Sequence, residues 1–336
     1  MRINKLIKEL ENLELKALIV SNLNNIRYLS GFTGDTGKLL VTANNSYIIV
    51  DGRFTEQAAN ETELEIVDYE GSFSKAINKL LDKQDISKCG FESVDTTYKE
   101  YDTLKKELGN KELVPTQGVI EKIRMIKEKS EIKLIKKALD IANSTFEEIK
   151  SEIVPGITEK EIATEIEYRM KKKGADGIAF ETVVASGKRS SLPHGTATDK
   201  KIEYGDAVVI DMGARYQGYC SDMTRTLFIG GASKEQQQIY DIVEKAQKDA
   251  IDAIDINVKC SKPCEIVIEE FKKYDLDKYF IHALGHGVGL DVHERPYIST
   301  KSVDEFQSGM IVAIEPGIYL PNKFGVRIED MVVITE

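Results

Sequence analysis

Long apolar stretches are missing from this 336-residue sequence. A helix that crosses a bilayer needs about 20 consecutive apolar residues, and a secretory leader needs a basic start followed by a shorter apolar run. Neither pattern is present, and tryptophan is absent altogether. The sequence therefore predicts no membrane span and no signal peptide, and we expect a cytoplasmic protein.

A surplus of positive charge is also missing, because 46 Lys and Arg residues against 56 Asp and Glu residues leave a net charge of −10. Proteins that bind nucleic acid or anionic membranes need a basic face. The composition therefore argues against both kinds of partner. The hydrophobic fraction of 41% and the charged fraction of 30% are typical of a globular protein. The length suits about two domains.

Cysteine is scarce, with four residues in the whole chain. Only Cys260 and Cys264, in CSKPC, lie close in sequence, and a zinc site of this type needs a second such pair. Without a secretory leader, reduced thiols are the expected state. The cysteines therefore predict neither a zinc site nor a disulfide framework.

Histidine is equally scarce, and its distribution is uneven. Residues 1–193 contain none, and three of the four histidines lie in the stretch HALGHGVGLDVHERP, residues 282–296. The fourth, His194, lies in SLPHG. Imidazole suits metal ligation and proton transfer near neutral pH, so the cluster predicts a functional site. The alternative is a set of structural histidines in a Gly-rich turn.

The N-terminal third alternates helical and strand patterns, which favours an α/β domain. The predicted helices are MRINKLIKELENL, FTEQAAN and TYKEYDTLKKELG, and the predicted strands are LKALIV, KLLVT, SYIIVDGRF, LEIVDY and CGFESV. The stretch LVPTQG, with its Pro and Gly, indicates a domain boundary between residues 113 and 124.

The remainder of the chain predicts four helices separated by strands. Apolar residues from Ile132 to Ile149 recur at helical spacing, and Thr158 with Glu161 forms a capping box ahead of a second helix that ends near Gly174. Ser233 with Gln236 begins the third helix, and Pro263 suits the first turn of the fourth. The predicted strand regions are ETVVAS, DAVVIDMGARYQGYCSDMTRTLFI and MIVAIEPGIYLPNKFGVRIEDMVVIT.

The first long strand region predicts a hairpin that brings two acids together. A turn at Tyr216 and Gln217 would set Asp211 directly opposite Asp222. Opposite residues have Cβ atoms about 4.5–5.5 Å apart, where like charges repel. Each acid adjoins apolar residues, which favours burial. The alternative is that these acids lie on solvent-exposed faces, as most strand acids do.

The second long strand region repeats this pattern, because a turn centred on Asn322 sets Glu315 opposite Glu329. Buried, unpaired carboxylates either take up protons or destabilise the fold by several kcal/mol. Divalent cations between them remove this cost. Four carboxylates and one imidazole are the donors expected for two such ions, whose charges balance the four acids.

Several of these segments resemble the successive metal-site motifs of the pita-bread metallopeptidases, a family that includes methionine aminopeptidase, aminopeptidase P and prolidase. The similar segments are DMGARYQGYCSDMTRT, HALGHGVGLDVHERP, IEPGIY and GVRIED. NNIRYLSGFTG and YIIVDGRFTEQA are similar to the N-terminal domain of aminopeptidase P and prolidase, and IRMIKEKSEI to the start of their catalytic domain. The resemblance implies an α/β domain over residues 1–122 and an α+β pita-bread (creatinase/aminopeptidase) catalytic domain over residues 123–336.

The resemblance also implies five metal ligands. Asp222 and Glu329 would bridge two divalent ions, Asp211 would hold one ion, and His286 and Glu315 would hold the other. The implied metal is manganese, with cobalt, zinc and iron as alternatives. A hydroxide between the ions would be the nucleophile.

The remaining site residues receive roles from the same resemblance. His194 and His293 match histidines that face the substrate carbonyl and the developing oxyanion, and Glu315 doubles as the base. His282 matches a histidine of the proline-directed members. Arg327 matches an arginine of the aminopeptidase P and prolidase branch, where it would hold the carboxylates in place by a charge-assisted contact.

The implied activity is hydrolysis of the bond between an N-terminal residue and proline in short peptides, by a homodimer. The sequence leaves open whether substrates are dipeptides only or also longer peptides. A metal-free relative, either a creatinase-type amidinohydrolase or a peptide-binding module, would be expected to have lost ligands. Methionine aminopeptidase is disfavoured by the extra N-terminal domain and by His282.

Two departures from the family pattern carry expectations of their own. Arg295 occupies a position in HERP where an acid is common, so we expect it to alter the pocket rim. Relatives usually continue through a further strand segment after MVVITE, where this sequence ends, which leaves the edge of the C-terminal sheet open but not the metal ligands.

Overall fold

The structure, a computed structural model, describes residues 2–335. These residues divide into two compact units, one that ends at Arg124 and one that begins at Met125. Among them, no helix is both long enough and apolar enough to cross a membrane. All four cysteines are buried and free, as expected for reduced thiols.

A six-stranded sheet lies at the centre of the first unit. Its strands are β1 (Ala17–Val20), β2 (Lys38–Thr42), β3 (Ser46–Val50), β4 (Glu65–Asp68), β5 (Lys88–Glu92) and β6 (Glu112–Thr116). Their order is β4-β3-β2-β1-β5-β6, with β1, β5 and β6 mutually parallel and β2 antiparallel to both of its neighbours. The first five strands were predicted from the sequence. Part of LVPTQG forms β6, where Pro115 is tolerated because an edge strand does not need every N–H donor.

Six helices accompany this sheet: α1 (Arg2–Asn12), α2 (Leu23–Ser30), α3 (Thr55–Glu61), α4 (Phe73–Lys83), α5 (Tyr98–Leu108) and α6 (Val119–Arg124). The sequence predicted α1, α3 and α5. Helices α2, α4 and α6 were missed, although α2 and α4 each begin at a capping residue. The Asn22 side chain accepts a hydrogen bond from the Asn25 N–H, and Ser72 accepts one from the Lys75 N–H.

The second unit contains the four helices that its sequence predicted: α7 (Lys129–Ile149), α8 (Glu159–Lys172), α9 (Lys234–Asp252) and α10 (Lys262–Lys272). Both predicted capping boxes are present, at the starts of α8 and α9, and Pro263 lies in the first turn of α10. Helix α8 ends two residues before Gly174, whose φ of 98° favours glycine.

Twelve short strands complete the second unit: β7 (Gly177–Ile178), β8 (Val183–Ser186), β9 (Ala207–Met212), β10 (Ala214–Tyr216), β11 (Tyr219–Cys220), β12 (Met223–Phe228), β13 (Gly285–Gly287), β14 (Glu294–Ile298), β15 (Ile311–Ile314), β16 (Gly317–Leu320), β17 (Phe324–Arg327) and β18 (Asp330–Val333). Two of the sheets have the orders β12-β9-β8 and β14-β13-β15-β18. Helices α7 and α8 share a hydrophobic core with the first of these sheets, and α9 and α10 share one with the second. Each sheet is thus held by its own pair of helices.

The predicted register of the first hairpin is wrong. Asp211 pairs with Thr224 rather than with Asp222. The turn lies one residue further along, at Gln217 and Gly218, whose φ angles are 45° and 80°. A two-residue hairpin turn of this kind needs positive φ at both positions, and glycine suits the second. The shift of two residues keeps both acids on the same face, as diagonal rather than direct neighbours.

The register of the second hairpin is confirmed. Gly317 pairs with Arg327 in β16 and β17, and Ile314 pairs with Asp330 in β15 and β18. These pairs lie on either side of Glu315 and Glu329 and share one register. The prediction succeeded here because Asn322, with φ of 59°, lies at the centre of the turn.

The stretch around His286 forms a strand, β13, between β14 and β15, and not the Gly-rich turn that was the alternative to a functional site. A Cβ atom on Gly285 would lie 1.9 Å from the Ala313 carbonyl oxygen, and one on Gly287 would lie 2.3 Å from that of Arg295. Both glycines are therefore required by the close approach of the neighbouring backbones, and they hold His286 at the middle of the strand.

Candidate metal centre and active site

The five predicted metal ligands come from different elements and meet in one place. Asp211 lies on β9 and His286 on β13, and the other three follow β11, β15 and β17 in the order Asp222, Glu315 and Glu329. Donor atoms of Asp211, Asp222 and Glu329 lie within 4.8 Å of one another, as do those of His286, Glu315 and Glu329. Glu329 therefore belongs to both groups.

Burial of Asp222 and Glu329 excludes the alternative of solvent-exposed carboxylates for these two acids, and Asp211 and Glu315 are half-buried. Asp222 is 4% exposed and Glu329 is 1% exposed. Burial, followed by the charges of Glu329 and Asp211, holds the pKa of Asp222 well above its usual range. Burial likewise raises the pKa of Glu315 to about 8, with Asp211 adding to the effect. Crowded acids of this kind favour either protons or cations as partners.

Unpaired carboxylate oxygens test whether these residues fit a metal. Asp211 accepts a hydrogen bond from the Arg327 guanidinium on Oδ2 at 2.7 Å, and Glu329 accepts one from the Thr224 hydroxyl on Oε2 at 2.7 Å. The other oxygens, Asp211 Oδ1 and Glu329 Oε1, are buried without a hydrogen-bond partner in the described part of the chain. Each acid is thus oriented through one oxygen and has the other free, which fits bound divalent cations.

The imidazole of His286 is in the form that ligates metals. Its Nδ1 lies 3.1 Å from the Gly287 carbonyl oxygen, which can only accept, so the ring proton is assigned to Nδ1. Its Nε2 lies 3.6 Å from a carboxylate oxygen of Asp222 and 3.6 Å from one of Glu315. Burial, together with the neighbouring His293, lowers the pKa of His286 to about 4. The ring is therefore neutral at pH 7, with a lone pair directed at the acids.

All nine predicted site residues line a single cavity of about 510 Å³: His194, Asp211, Asp222, His282, His286, His293, Glu315, Arg327 and Glu329. The rings of His286 and His293 have centroids 4.3 Å apart. A nitrogen of His293 also lies within 4.8 Å of donor atoms of Asp222 and His286. Distance alone therefore does not separate a ligand from a proton donor within this cluster.

A chain of hydrogen bonds joins Arg327 to His282 through Tyr319, a residue that the sequence analysis missed. Arg327 donates to the Tyr319 hydroxyl at 2.8 Å, and that hydroxyl lies 2.9 Å from His282 Nε2. Since His282 Nδ1 faces the Ala283 carbonyl oxygen at 2.7 Å, Nε2 is the acceptor and Tyr319 the donor. Burial lowers the pKa of His282 to about 4 and raises that of Tyr319 to about 12, which keeps both neutral.

Strand periodicity could have found Tyr319 and Thr224, the two residues around the site that the sequence prediction missed. Tyr319 lies four residues after Glu315, and Thr224 lies two residues after Asp222, so in each case the side chains share a face of the strand. Arg295, by contrast, is outside the cavity lining and donates two hydrogen bonds to Asp304. The expected change of the pocket rim by Arg295 is therefore absent from the described cavity.

Comparison with known proteins finds the same two parts of the chain. Residues 133–336 match the metallopeptidase family M24, and residues 2–126 match the creatinase/prolidase N-terminal domain. An Xaa-Pro dipeptidase of Pyrococcus furiosus is 40% identical, across all of this chain and 95% of that protein.

Solved structures agree with this assignment. An Xaa-Pro dipeptidase from Bacillus anthracis is 38% identical and superposes with a TM-score of 0.97 over 99% of this chain and 94% of that one. An X-Pro aminopeptidase from Thermotoga maritima is 36% identical, with a TM-score of 0.90 over 98% of this chain and 95% of that one. The protein belongs to the metallopeptidase family M24 and has the two-domain fold of its prolidase branch.

Proposed function

We propose that this protein is a dinuclear-metal-dependent peptidase that hydrolyses the bond between an N-terminal residue and proline. The observation that carries the proposal is the cluster of four carboxylates and His286, with unpaired oxygens on Asp211 and Glu329. Relatives named Xaa-Pro dipeptidase and X-Pro aminopeptidase align over nearly the whole chain and support the substrate class.

In this proposal, two divalent cations would be held by five residues: Asp222 and Glu329 would serve both cations, Asp211 would serve one of them, and His286 and Glu315 would serve the other. The donor set is rich in carboxylate oxygens and has one imidazole, which suits manganese and admits cobalt, zinc and iron. Bound divalent ions of this kind activate water and polarise a carbonyl. Two ions with charge +2 also balance the four acids.

The chain's own residues supply the remaining steps. Glu315 accepts the proton from the attacking water, since its side chain is the most exposed of the four acids. His194 and His293 line the cavity and donate to the carbonyl oxygen as negative charge develops on it. Arg327 orients Asp211 by a hydrogen bond, and it also fixes the Tyr319 hydroxyl, which in turn holds the ring of His282.

His282 is proposed to contribute to proline selectivity. It is neutral, half-buried and held at both ring nitrogens, so its face is fixed at the cavity wall. Replacement by Ala is expected to reduce turnover of Xaa-Pro peptides more than that of Xaa-Ala peptides. An equal reduction for both peptides would contradict a role in selectivity.

The test of the activity compares Ala-Pro, Ala-Pro-Ala and Ala-Ala hydrolysis by manganese-loaded protein with that of a chelated sample. We expect metal-dependent release of alanine from the proline peptides and little from Ala-Ala. Activity on Ala-Pro alone identifies a dipeptidase, and activity on both proline peptides an aminopeptidase. Activity that persists after chelation would contradict the proposal.

We also propose a cytoplasmic homodimer. Four free, buried cysteines are consistent with a reducing compartment. Sedimentation equilibrium tests the assembly, and a mass equal to the 37.7 kDa of one chain would contradict it.

A further inference from the structure

Glu159, the first residue of α8, is a buried carboxylate that the proposed reaction does not use. It is 0% exposed and does not line the cavity. Its Oε1 accepts hydrogen bonds from the Ser186 N–H and hydroxyl, both at 2.8 Å. Its Oε2 accepts from the Thr198 N–H at 3.0 Å and from the Thr198 hydroxyl at 2.6 Å. Two chain positions twelve residues apart are thus joined through one carboxylate.

The segment between those two positions carries His194. Arg189, within the segment, extends the connection: its Nε lies 3.1 Å from Glu159 Oε2, and its NH2 donates to the Thr196 carbonyl oxygen at 2.6 Å. The Thr196 N–H in turn donates to the His194 carbonyl oxygen at 2.9 Å. A continuous path of hydrogen bonds therefore runs from Glu159 to the backbone of His194.

The side chain of His194 is exposed and makes no hydrogen bond within the described residues, so the position of the ring depends on that of its backbone. We propose that Glu159 is a positioning residue. It ties together Ser186 and Thr198, the two ends of the segment that carries His194, and so fixes that imidazole at the cavity. The inference rests on the proposed function for its catalytic consequence. A displacement of about 1 Å at a reacting group can cost about 10²-fold in rate even when the substituted residue is remote.

The test uses Glu159→Gln, which keeps the shape of the side chain and replaces one acceptor oxygen by an NH2 donor. That donor then faces the N–H of Ser186 or of Thr198, which needs an acceptor, so one of the two hydrogen-bonded ends of the segment is released. Because the chain has four histidines, selective histidine labelling of zinc-loaded, diamagnetic protein gives four imidazole resonances that single His→Ala variants assign. We expect Glu159→Gln to move the His194 resonance and to leave those of His282, His286 and His293 in place.

A matched control is Glu270→Gln. Glu270 is also buried, at 3% exposure, and is bonded to Lys245 and Lys273, outside the cavity lining. It should leave all four resonances unchanged. If Glu159→Gln does not fold, Thr198→Val removes one hydroxyl donor to the same carboxylate and gives the same readout. An unmoved His194 resonance in the folded variant overturns the inference.

Kinetics give a second, independent readout. Glu159→Gln should lower kcat about 10- to 10²-fold with little change in KM and with unchanged metal content. In a His194→Ala background it should cause no further loss, because residues on one path are not additive. Losses that multiply would also overturn the inference. If His194→Ala alone keeps full kcat, the proposed role of His194 fails, whereas the resonance still tests the role of Glu159.

Discussion

Glu159 and Glu329 are both buried glutamates of the second unit, exposed by 0% and 1%, yet their oxygens have different surroundings. Both oxygens of Glu159 accept hydrogen bonds, from Ser186 and Thr198. Glu329 accepts one, from Thr224, and its Oε1 has no partner among the described residues. Burial is therefore common to a structural acid and a candidate ligand. The unpaired oxygen is the feature that distinguishes the ligand.

The first unit makes the same point with a cluster of acids. Glu92, Asp95 and Glu121 have oxygens within 4.8 Å of one another, as a metal site would. Glu92, however, accepts hydrogen bonds from the N–H groups of Ser21 and Asn22 on one oxygen, and from the Asn25 amide on the other. Its acceptors are occupied by protein donors. Proximity of acids alone thus predicts a site in both units, whereas hydrogen bonding separates the two.

The largest expected effect comes from the same substitution, Glu to Gln, at Glu329 and at Glu159. Glu329→Gln removes a ligand and a negative charge, so bound metal and activity should fall together. The loss of activity should exceed the loss of about 10²–10³-fold that is expected when one oxyanion donor is removed. His286→Ala should behave alike. Glu159→Gln should keep its metal. Elemental analysis beside Ala-Pro hydrolysis checks this, and retained metal in Glu329→Gln would remove the distinction between the two glutamates.

The next effect separates ligands from donors within the cavity. His194→Ala and His293→Ala should retain metal and lose about 10²–10³-fold in kcat, because each removes one hydrogen-bond donor to the developing oxyanion. His293 is the sharper case, since its nitrogen lies as close to the acids as a ligand would. Loss of metal in His293→Ala would assign it to the ligands.

The two glutamates should also differ in how their replacement by Gln changes the free energy of unfolding of the chelated protein. At metal concentrations 100 times the dissociation constant, the holo-protein should be more stable than the chelated protein by about 2.7 kcal/mol. In the chelated protein, Glu329→Gln should be neutral or stabilising because it relieves repulsion. Glu159→Gln should cost about 1–3 kcal/mol because buried donors lose their acceptor. Thermal melts with and without chelator measure this, and coincident wild-type melts would contradict an occupied site.

The sequence predicted most of the elements because periodicity and caps are local signals. It missed α2 and α6, which span only eight and six residues, and it missed α4 even though the Ser72 cap and an apolar stripe along that helix are both local signals. The first hairpin register failed because one residue in the turn, Gln217, adopts positive φ without being glycine. A local pattern does not specify that choice.

The sequence named nine candidate site residues, and all of them line one cavity. Strand periodicity was the one available signal for Tyr319 and Thr224, but it was not used because a tyrosine or threonine in a strand has no special chemistry until its partner is known. Glu159 was missed for the same reason. Its role depends on Ser186 and Thr198, which only the folded chain brings to it.

The last expected effect is spread over several pH units and concerns Glu92, where hydrogen bonds are present but burial still raises the pKa from 4.5 to about 7. Between these two values the folded protein binds a proton that the unfolded chain has released. The contribution of Glu92 to the free energy of unfolding should therefore be fully present below pH 4.5. It should fall as the pH rises to 7, by at most about 1.4 kcal/mol per pH unit. Glu92→Gln cannot ionise and should lack this dependence, so it should become less destabilised relative to wild type as the pH rises.

Urea unfolding at pH 5, 6, 7 and 8 measures the difference. Glu63→Gln, at an exposed position of the same unit, controls for the loss of one carboxylate. A difference between Glu92→Gln and wild type that is constant with pH would mean that the donors around Glu92 outweigh its burial.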